Sequence, residues 1–200
     1  MAMAEDTIKI GIFEPMTGAT AAGGSMEKEG FDLANELYPD VLGKKIELVY
    51  GDNKSDRAEA TLAAQSLVDK GVVAVLGSYG SGLSMAGGEV FAENEIPALT
   101  ATATNPTITL DCEWYARICF IDPFQGTMLA RYAVKNEYKK IAIMREKDSE
   151  YSVGLVKYFQ DEIATHDGYE VVALCDFMNK DEDFSALLGA LDAQLELGAA

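Results

Sequence analysis

The sequence predicts an α/β architecture built on parallel sheet, and three features predict it. Strand-like pieces with apolar residues at period two alternate with helix-like pieces along nearly the whole chain. Residues 72–76 form a continuous apolar run of the kind seen in a strand covered on both faces. The loops that follow strands are rich in glycine, serine and threonine. Repeated β–α units imply a doubly wound sheet with helices on both faces, because each crossover between parallel strands must return over one face.

Each element has its own signal. Residues 7–13 set Ile8, Ile10 and Ile12 at alternate positions for a first strand. Met26, Gly30, Leu33, Ala34 and Leu37 recur at helical spacing and are the expected buried face of the first helix, with Ser25 as its N-cap. Ile46, Leu48 and Tyr50 alternate again as a strand. Asp56 followed by Glu59 is a capping-box-like start for a helix whose apolar face is Ala60, Ala63, Ala64, Leu67 and Val68 and whose stop is Gly71. After the apolar run come a small-residue helix over 83–93 and a short strand over 97–100.

The remainder reads as strand 115–121, helix 124–136, strand 141–144, helix 151–164, strand 171–177 and helix 184–197. The last helix carries Phe184, Leu187, Leu188, Leu191 and Leu195 on one side. At Ile121-Asp122-Pro123 a strand meets a proline and a new helix begins, so a domain crossing is expected there, dividing residues 5–121 from 122–200. Two strands make a marginal sheet, so the second lobe reads as incomplete and the chain as part of something longer.

Composition narrows the function. A net charge of −17 argues against nucleic acid, whose phosphates need a cationic face, and against anionic lipid. Hydrophobic residues at 48% with 24% charged exclude a largely disordered chain. No apolar run approaches the ~20 residues of a membrane span. The start Met1-Ala2-Met3-Ala4-Glu5-Asp6 reads as an initiator graft onto a chain cut at its natural beginning, with any export signal removed. Cys112, Cys119 and Cys175 are too few for a zinc site or disulfide framework; a small Cys112–Cys119 bridge and buried free thiols both remain open.

Three catalytic patterns fail on inspection. Gly18-Ala19-Thr20-Ala21-Ala22-Gly23-Gly24-Ser25 nearly spells a phosphate-binding loop, but Gly24 stands where the lysine should be. Gly82-Leu83-Ser84-Met85-Ala86 resembles a nucleophile elbow, yet Ser84 comes well after its strand, and the sole histidine, His166, sits beside Asp167-Gly168 in an expected turn. The dinucleotide fingerprint is missing after the first strand. Asp148, Glu150, Asp181, Glu182 and Asp183 are scattered acids of solvated faces and caps. The expectation is therefore a non-enzyme with no catalytic residue, no metal and no cofactor.

A binding site is what remains. In an open parallel sheet, ligands sit beyond the carboxyl ends of the strands. The chain places there Thr17-Gly18 with Gly23-Gly24, then Gly77-Ser78-Tyr79-Gly80-Ser81-Gly82 at a helix start, then Thr100-Ala101-Thr102-Ala103-Thr104-Asn105-Pro106, and residues 145–152 with Tyr151. Hydroxyls and free backbone N–H groups beside a helix N-terminus suit a small anion such as a carboxylate.

Ile8-Lys9-Ile10-Gly11 with Met16-Thr17-Gly18, Val75-Leu76-Gly77 with Ser81, Ala103-Thr104-Asn105-Pro106, Asp122-Pro123-Phe124-Gln125-Gly126, and Lys140-Ile141-Ala142-Ile143 with Tyr151 form an ordered series. In these the chain resembles the leucine/isoleucine/valine-binding family of ABC-transporter solute-binding proteins. The resemblance implies a type I periplasmic-binding fold: two Rossmann-like lobes joined by three crossings, closing over a ligand and presenting it to a membrane permease. It implies that Ser81, Thr102, Ala103 and Thr104 hold the carboxylate and part of the ammonium of an amino acid. Tyr151 would close from the second lobe and Asp122 would sit near the hinge. It also implies an extracytoplasmic place, in a periplasm or on a lipid anchor upstream, and a longer chain supplying the acidic partner for the ammonium. Gly23 stands where leucine-type binders have an aromatic residue, which is expected to open room for another ligand. The alternative is a ligand-sensing extracellular domain of a receptor or regulator.

Overall fold

The alternating isoleucines open a strand, β1 (Ile8–Glu14), in the computed structural model, which describes residues 7–197. There follow α1 (Ala21–Leu37), β2 (Asp40–Val41), β3 (Lys44–Asp52), α2 (Arg57–Asp69), β4 (Ala74–Gly77), α3 (Ser81–Glu93), β5 (Ala98–Thr100), a 3-10 turn Pro106–Ile108, and β6 (Tyr115–Arg117). These strands make one sheet in the order β2-β3-β1-β4-β5-β6, parallel except for the short β2–β3 hairpin. The carboxyl ends of β1, β4 and β5 therefore lie side by side along one edge. The architecture is the parallel α/β one expected, with β2 added.

The chain divides into two compact units, the first running through Cys119 and the second from Phe120. The first has a continuous core in which Phe13 meets Phe91 edge to face at 5.4 Å, joined by Ala60, Ala64, Leu67, Val75 and Tyr115. Asp56 caps α2 as expected, accepting the N–H groups of Ala58 at 2.8 Å and Glu59 at 3.0 Å. The Glu59 carboxylate pairs instead with Lys54 at 3.0 Å.

Three expectations need correction here. The face of α1 expected inside is outside: Met26, Leu33 and Leu37 are 73%, 55% and 63% exposed. Its covered side carries Gly24, Glu27, Phe31 and Asn35, because the helix enters on small residues that approach the sheet closely. Ser25 is not the cap; α1 begins at Ala21 after Thr20, whose N–H and hydroxyl are held by the Ser55 hydroxyl at 3.0 and 2.9 Å. The strand expected over 115–121 ends at Arg117, since its neighbour β5 is only three residues long and ends at Thr100, whose carbonyl still accepts the Ile118 N–H at 3.2 Å.

The second unit contains α4 (Asp122–Lys135), β7 (Lys140–Glu146), α5 (Glu150–Ile163), β8 (Glu170–Phe177) and α6 (Ser185–Leu197). β7 and β8 pair in parallel as a two-stranded sheet. Ala130, Ala133 and Ile163 form its core with Phe159 and Val171 packed against them. α4 presses on α5 at Gly126, where a side chain would fall 2.7 Å from Tyr158 Cβ. On α6, Leu191 is buried and Leu188 exposed, and the Leu195 side chain lies outside the described residues, as does the 1–6 segment. Among the described residues no disulfide joins Cys112 to Cys119, and Cys112, Cys119 and Cys175 are all partly buried.

Candidate functional site

The edge formed by β1, β4 and β5 carries a network of hydroxyl and peptide groups. Its centre is the turn after β4. Gly77 adopts φ 115° and lies so close to β1 that a Cβ there would fall 2.1 Å from the Phe13 carbonyl oxygen. Ser78 follows, fully buried, its carbonyl accepting the hydroxyls of Ser84 at 2.8 Å and Thr100 at 3.1 Å. Its own hydroxyl accepts from the Asn53 amide at 2.9 Å and donates to the Tyr79 carbonyl at 3.0 Å. Ser84, the residue that imitates a nucleophile, is thus buried and bonded inside this turn.

The loop after β5 is tied to the same turn. Thr100 Oγ1 accepts the Ala103 N–H at 3.1 Å, and Ser81 Oγ accepts the Asn105 N–H at 3.2 Å. Arg117, from β6, donates to the carbonyls of Ala103 at 2.9 Å and Pro106 at 3.2 Å and to the Thr109 hydroxyl at 2.8 Å. The third loop, after β1, is shaped by Asp52, which accepts the N–H groups of Met16 at 2.9 Å and Thr17 at 3.2 Å. Although burial works to raise the Asp52 pKa, these donors, with the Lys54 N–H and Thr17 hydroxyl, hold it below the usual carboxylate range.

The four residues singled out in the first unit fall in this network, in different roles. Ser81 is the first residue of α3 and 2% exposed, its hydroxyl still able to donate after accepting from Asn105. Thr102 is exposed and its hydroxyl donates to Glu27 Oε1. Ala103 is buried with its N–H and carbonyl bonded to Thr100 and Arg117. Thr104 is 6% exposed and its hydroxyl has no partner within the protein. A buried hydroxyl left unbonded costs about 1–3 kcal/mol, which a ligand acceptor would recover. It lies next in sequence to Asn105, whose N–H reaches Ser81 at the N-terminus of α3, where helix N–H groups lack internal acceptors.

In the second unit Tyr151 stands in the first turn of α5, partly exposed, its hydroxyl accepting from the Gln125 amide at 3.0 Å. Asp122 opens α4 and is fully buried.

The reading of Gly23 as an opening is overturned. The Tyr79 ring lies over Gly23, and a Cβ at that position would meet its Cε2 and Cζ atoms at 2.5 Å. An aromatic ring is present after all, supplied by the loop after β4. Gly24 is equally occupied: a Cβ there would lie 2.4 Å from the Pro15 carbonyl, so no lysine could stand at that point.

Two acids belong to this cluster and were missed. Glu14, at the end of β1, is fully buried and accepts the Tyr79 N–H at 2.8 Å. Burial, and next the charge of Glu27, push its carboxyl up to about 9. Glu27 is likewise raised, chiefly by burial. A carboxyl ending an apolar strand, and another four residues after Gly23 on one helix side, were the signals available in the sequence. Among the described residues no group of three or more His, Cys, Asp or Glu could hold a metal ion, and no helix is long and apolar enough to cross a membrane.

A family model described as periplasmic binding protein matches residues 7–194. The Leu/Ile/Val-binding protein homolog 3 of Brucella melitensis is 32% identical over 189 residues, covering 92% of this chain and 51% of that protein. Among solved structures, a leucine binding protein from Thermotoga maritima superposes with a TM-score of 0.90 at 36% identity, over 94% of this chain and 54% of the other. A solute binding protein of an ABC transporter from Rhodopseudomonas palustris, in complex with 3,4-dihydroxybenzoic acid, gives 0.85 at 25% identity, over 95% and 53%. The chain spans about half the length of the curated relatives it matches.

Proposed function

Because this chain belongs to the periplasmic binding protein family, we propose that it carries the carboxylate-gripping lobe of an extracytoplasmic solute-binding protein. Its ligand is an amino acid or a similar small carboxylate, and its onward partner is the permease of an ABC transporter. It is a carrier and not an enzyme: the ligand is held and released unaltered.

The observation that carries this reading is the Thr104 hydroxyl, buried without a partner beside the start of α3. In the bound state that hydroxyl, the Ser81 hydroxyl and the open N–H groups of α3 donate to the carboxylate. The helix end adds its partial positive charge. Thr102 contributes from the rim, and the engaged peptide of Ala103 holds the loop in shape for its neighbours. Tyr151 is proposed as a further ligand contact and Asp122 as a hinge residue. The relatives named for leucine, isoleucine and valine favour an aliphatic amino acid, and the dihydroxybenzoate complex favours the carboxylate as the shared feature.

Ligand-observed NMR tests this, because it registers millimolar binding worth only about 4 kcal/mol. L-leucine, L-isoleucine, L-valine and benzoate are titrated against the chain. At least one is expected to show saturation transfer, and its methyl ester none. Thr104→Val, which removes only the hydroxyl, is expected to weaken binding about tenfold, in line with one hydrogen bond to a charged group. A response that survives in the ester, or is untouched by Thr104→Val, would overturn the proposal.

A further inference from the structure

We propose that Glu14 and Glu27 are positioning residues that share one proton and so clamp the two ligand-holding loops to α1, and that alkali, by removing this proton, loosens the clamp and weakens ligand retention. The link to the ligand rests on the function proposed above; the clamp itself does not.

The geometry is a chain of bonds through two carboxyls. Glu14 Oε2 accepts the Tyr79 N–H at 2.8 Å, which holds the loop after β4. Glu27 Oε1 accepts the Thr102 hydroxyl, which holds the loop after β5. The other two oxygens, Glu14 Oε1 and Glu27 Oε2, are buried and receive no donor from the rest of the protein. The two side chains lie within reach of each other, so these oxygens can bond to one another once one carboxyl carries a proton.

Two acceptors can bond only if one carries a proton. The titratable groups that face Glu14 are Glu27, from α1, and the phenol of Tyr115, from β6, both acids. Like charges at this depth, with little water to screen them, cannot both persist. Glu14 is the more buried and keeps the proton; Glu27 is the carboxylate that receives it, along with the Thr102 hydroxyl. A hydrogen bond to an ionised acceptor is roughly twice as strong as a neutral one. One proton therefore joins β1, α1 and both loops, and its loss replaces an attraction by a repulsion between the elements that frame Ser81 and Thr104.

The direction with pH follows from the protonated form being favoured in the folded state. The Glu14 carboxyl sits at about 9 when folded against 4.5 for the free side chain. Between those values the folded chain holds one proton more than the unfolded chain. The stability it brings is complete below the lower value and lost as pH rises through the upper one.

Thermal unfolding of wild type, Glu14→Gln and Glu27→Gln is compared at about pH 6 and about pH 10, alongside carbon-detected NMR titration of the glutamate carboxyls of the wild-type chain. The amide introduced by Glu14→Gln keeps an acceptor for the Tyr79 N–H and presents an N–H donor where the proton was. The wild type is expected to lose about 5 °C or more of Tm relative to Glu14→Gln across that range. One wild-type glutamate is expected to titrate in the alkaline range, and to titrate lower in Glu27→Gln, where its burial remains but the neighbouring charge is gone. Parallel Tm profiles, or all glutamates titrating below about pH 6, would overturn the clamp even if L-leucine or benzoate binds. If the profiles diverge as expected and no carboxylate probe binds, the clamp stands and the proposed function falls. If both hold, saturation transfer from the bound probe is expected to drop severalfold at the higher pH in wild type and not in Glu14→Gln.

Discussion

Gly23 and Gly24 show how much a missing side chain can decide. Their backbones are the surface on which the Tyr79 ring and the Pro15 carbonyl lie, with no room for one more carbon. Gly23→Ala is expected to cost about 1–3 kcal/mol in urea denaturation, the range for an overpacked site, with the ring turning aside to yield. Gly24→Ala is expected to cost more, since its obstacle is a peptide carbonyl that cannot turn. At this scale the sequence was legible wherever a residue acts through its own chemistry. The hydroxyls of Ser81 and Thr104 stand out in loops at strand ends beside a helix start, and both residues lie buried there, the Thr104 hydroxyl without a partner inside the protein. Glu14, Glu27 and Tyr79 act through one another, and nothing in a one-dimensional string says that residues 65 apart, as Glu14 and Tyr79 are, share a hydrogen bond.

Helices and strands were legible in proportion to how far local chemistry determines them. α2 has its acceptor at Asp56 and a narrow stripe of alanine and leucine, and both are used as read. Asp56→Ala is expected to lower stability by about 1 kcal/mol, with Asn restoring most of it, measured by the same denaturation. α1 was misread because its apolar stripe and its small-residue stripe compete for the sheet. Close approach by Gly24 against Pro15 wins, and Met26, Leu33 and Leu37 are turned to solvent. β6 was drawn too long because a strand's length is set by its neighbour's hydrogen-bonding groups, which lie elsewhere in the chain.

The two units differ in how much structure each can sustain. Among the described residues the first has six strands and a core spanning β1, α2, β4, α3 and β6, whereas the second has one pair of strands and a small cluster of Ala130, Ala133 and Ile163 with partly covered neighbours. Two-stranded sheets are marginal without support. Native-state hydrogen exchange is therefore expected to show the slowest amides in β1 and β4, at Ile12 and Val75, and faster exchange through β7 and β8; equal protection in both would contradict this. The parallel α/β plan was legible throughout, because strand and helix periods survive in any context, while the share of stability held by each unit was not, because it depends on which faces are covered. Arg117 has a consequence at this scale. By gripping two carbonyls and a hydroxyl of residues 103–109, it fixes the rim before any solute arrives. Under the proposed function, capture would then spend little on ordering the chain, discrimination among solutes would be set by their fit to a rigid contour, and calorimetry is expected to register heat exchanged at the contacts with little entropic penalty from the polypeptide.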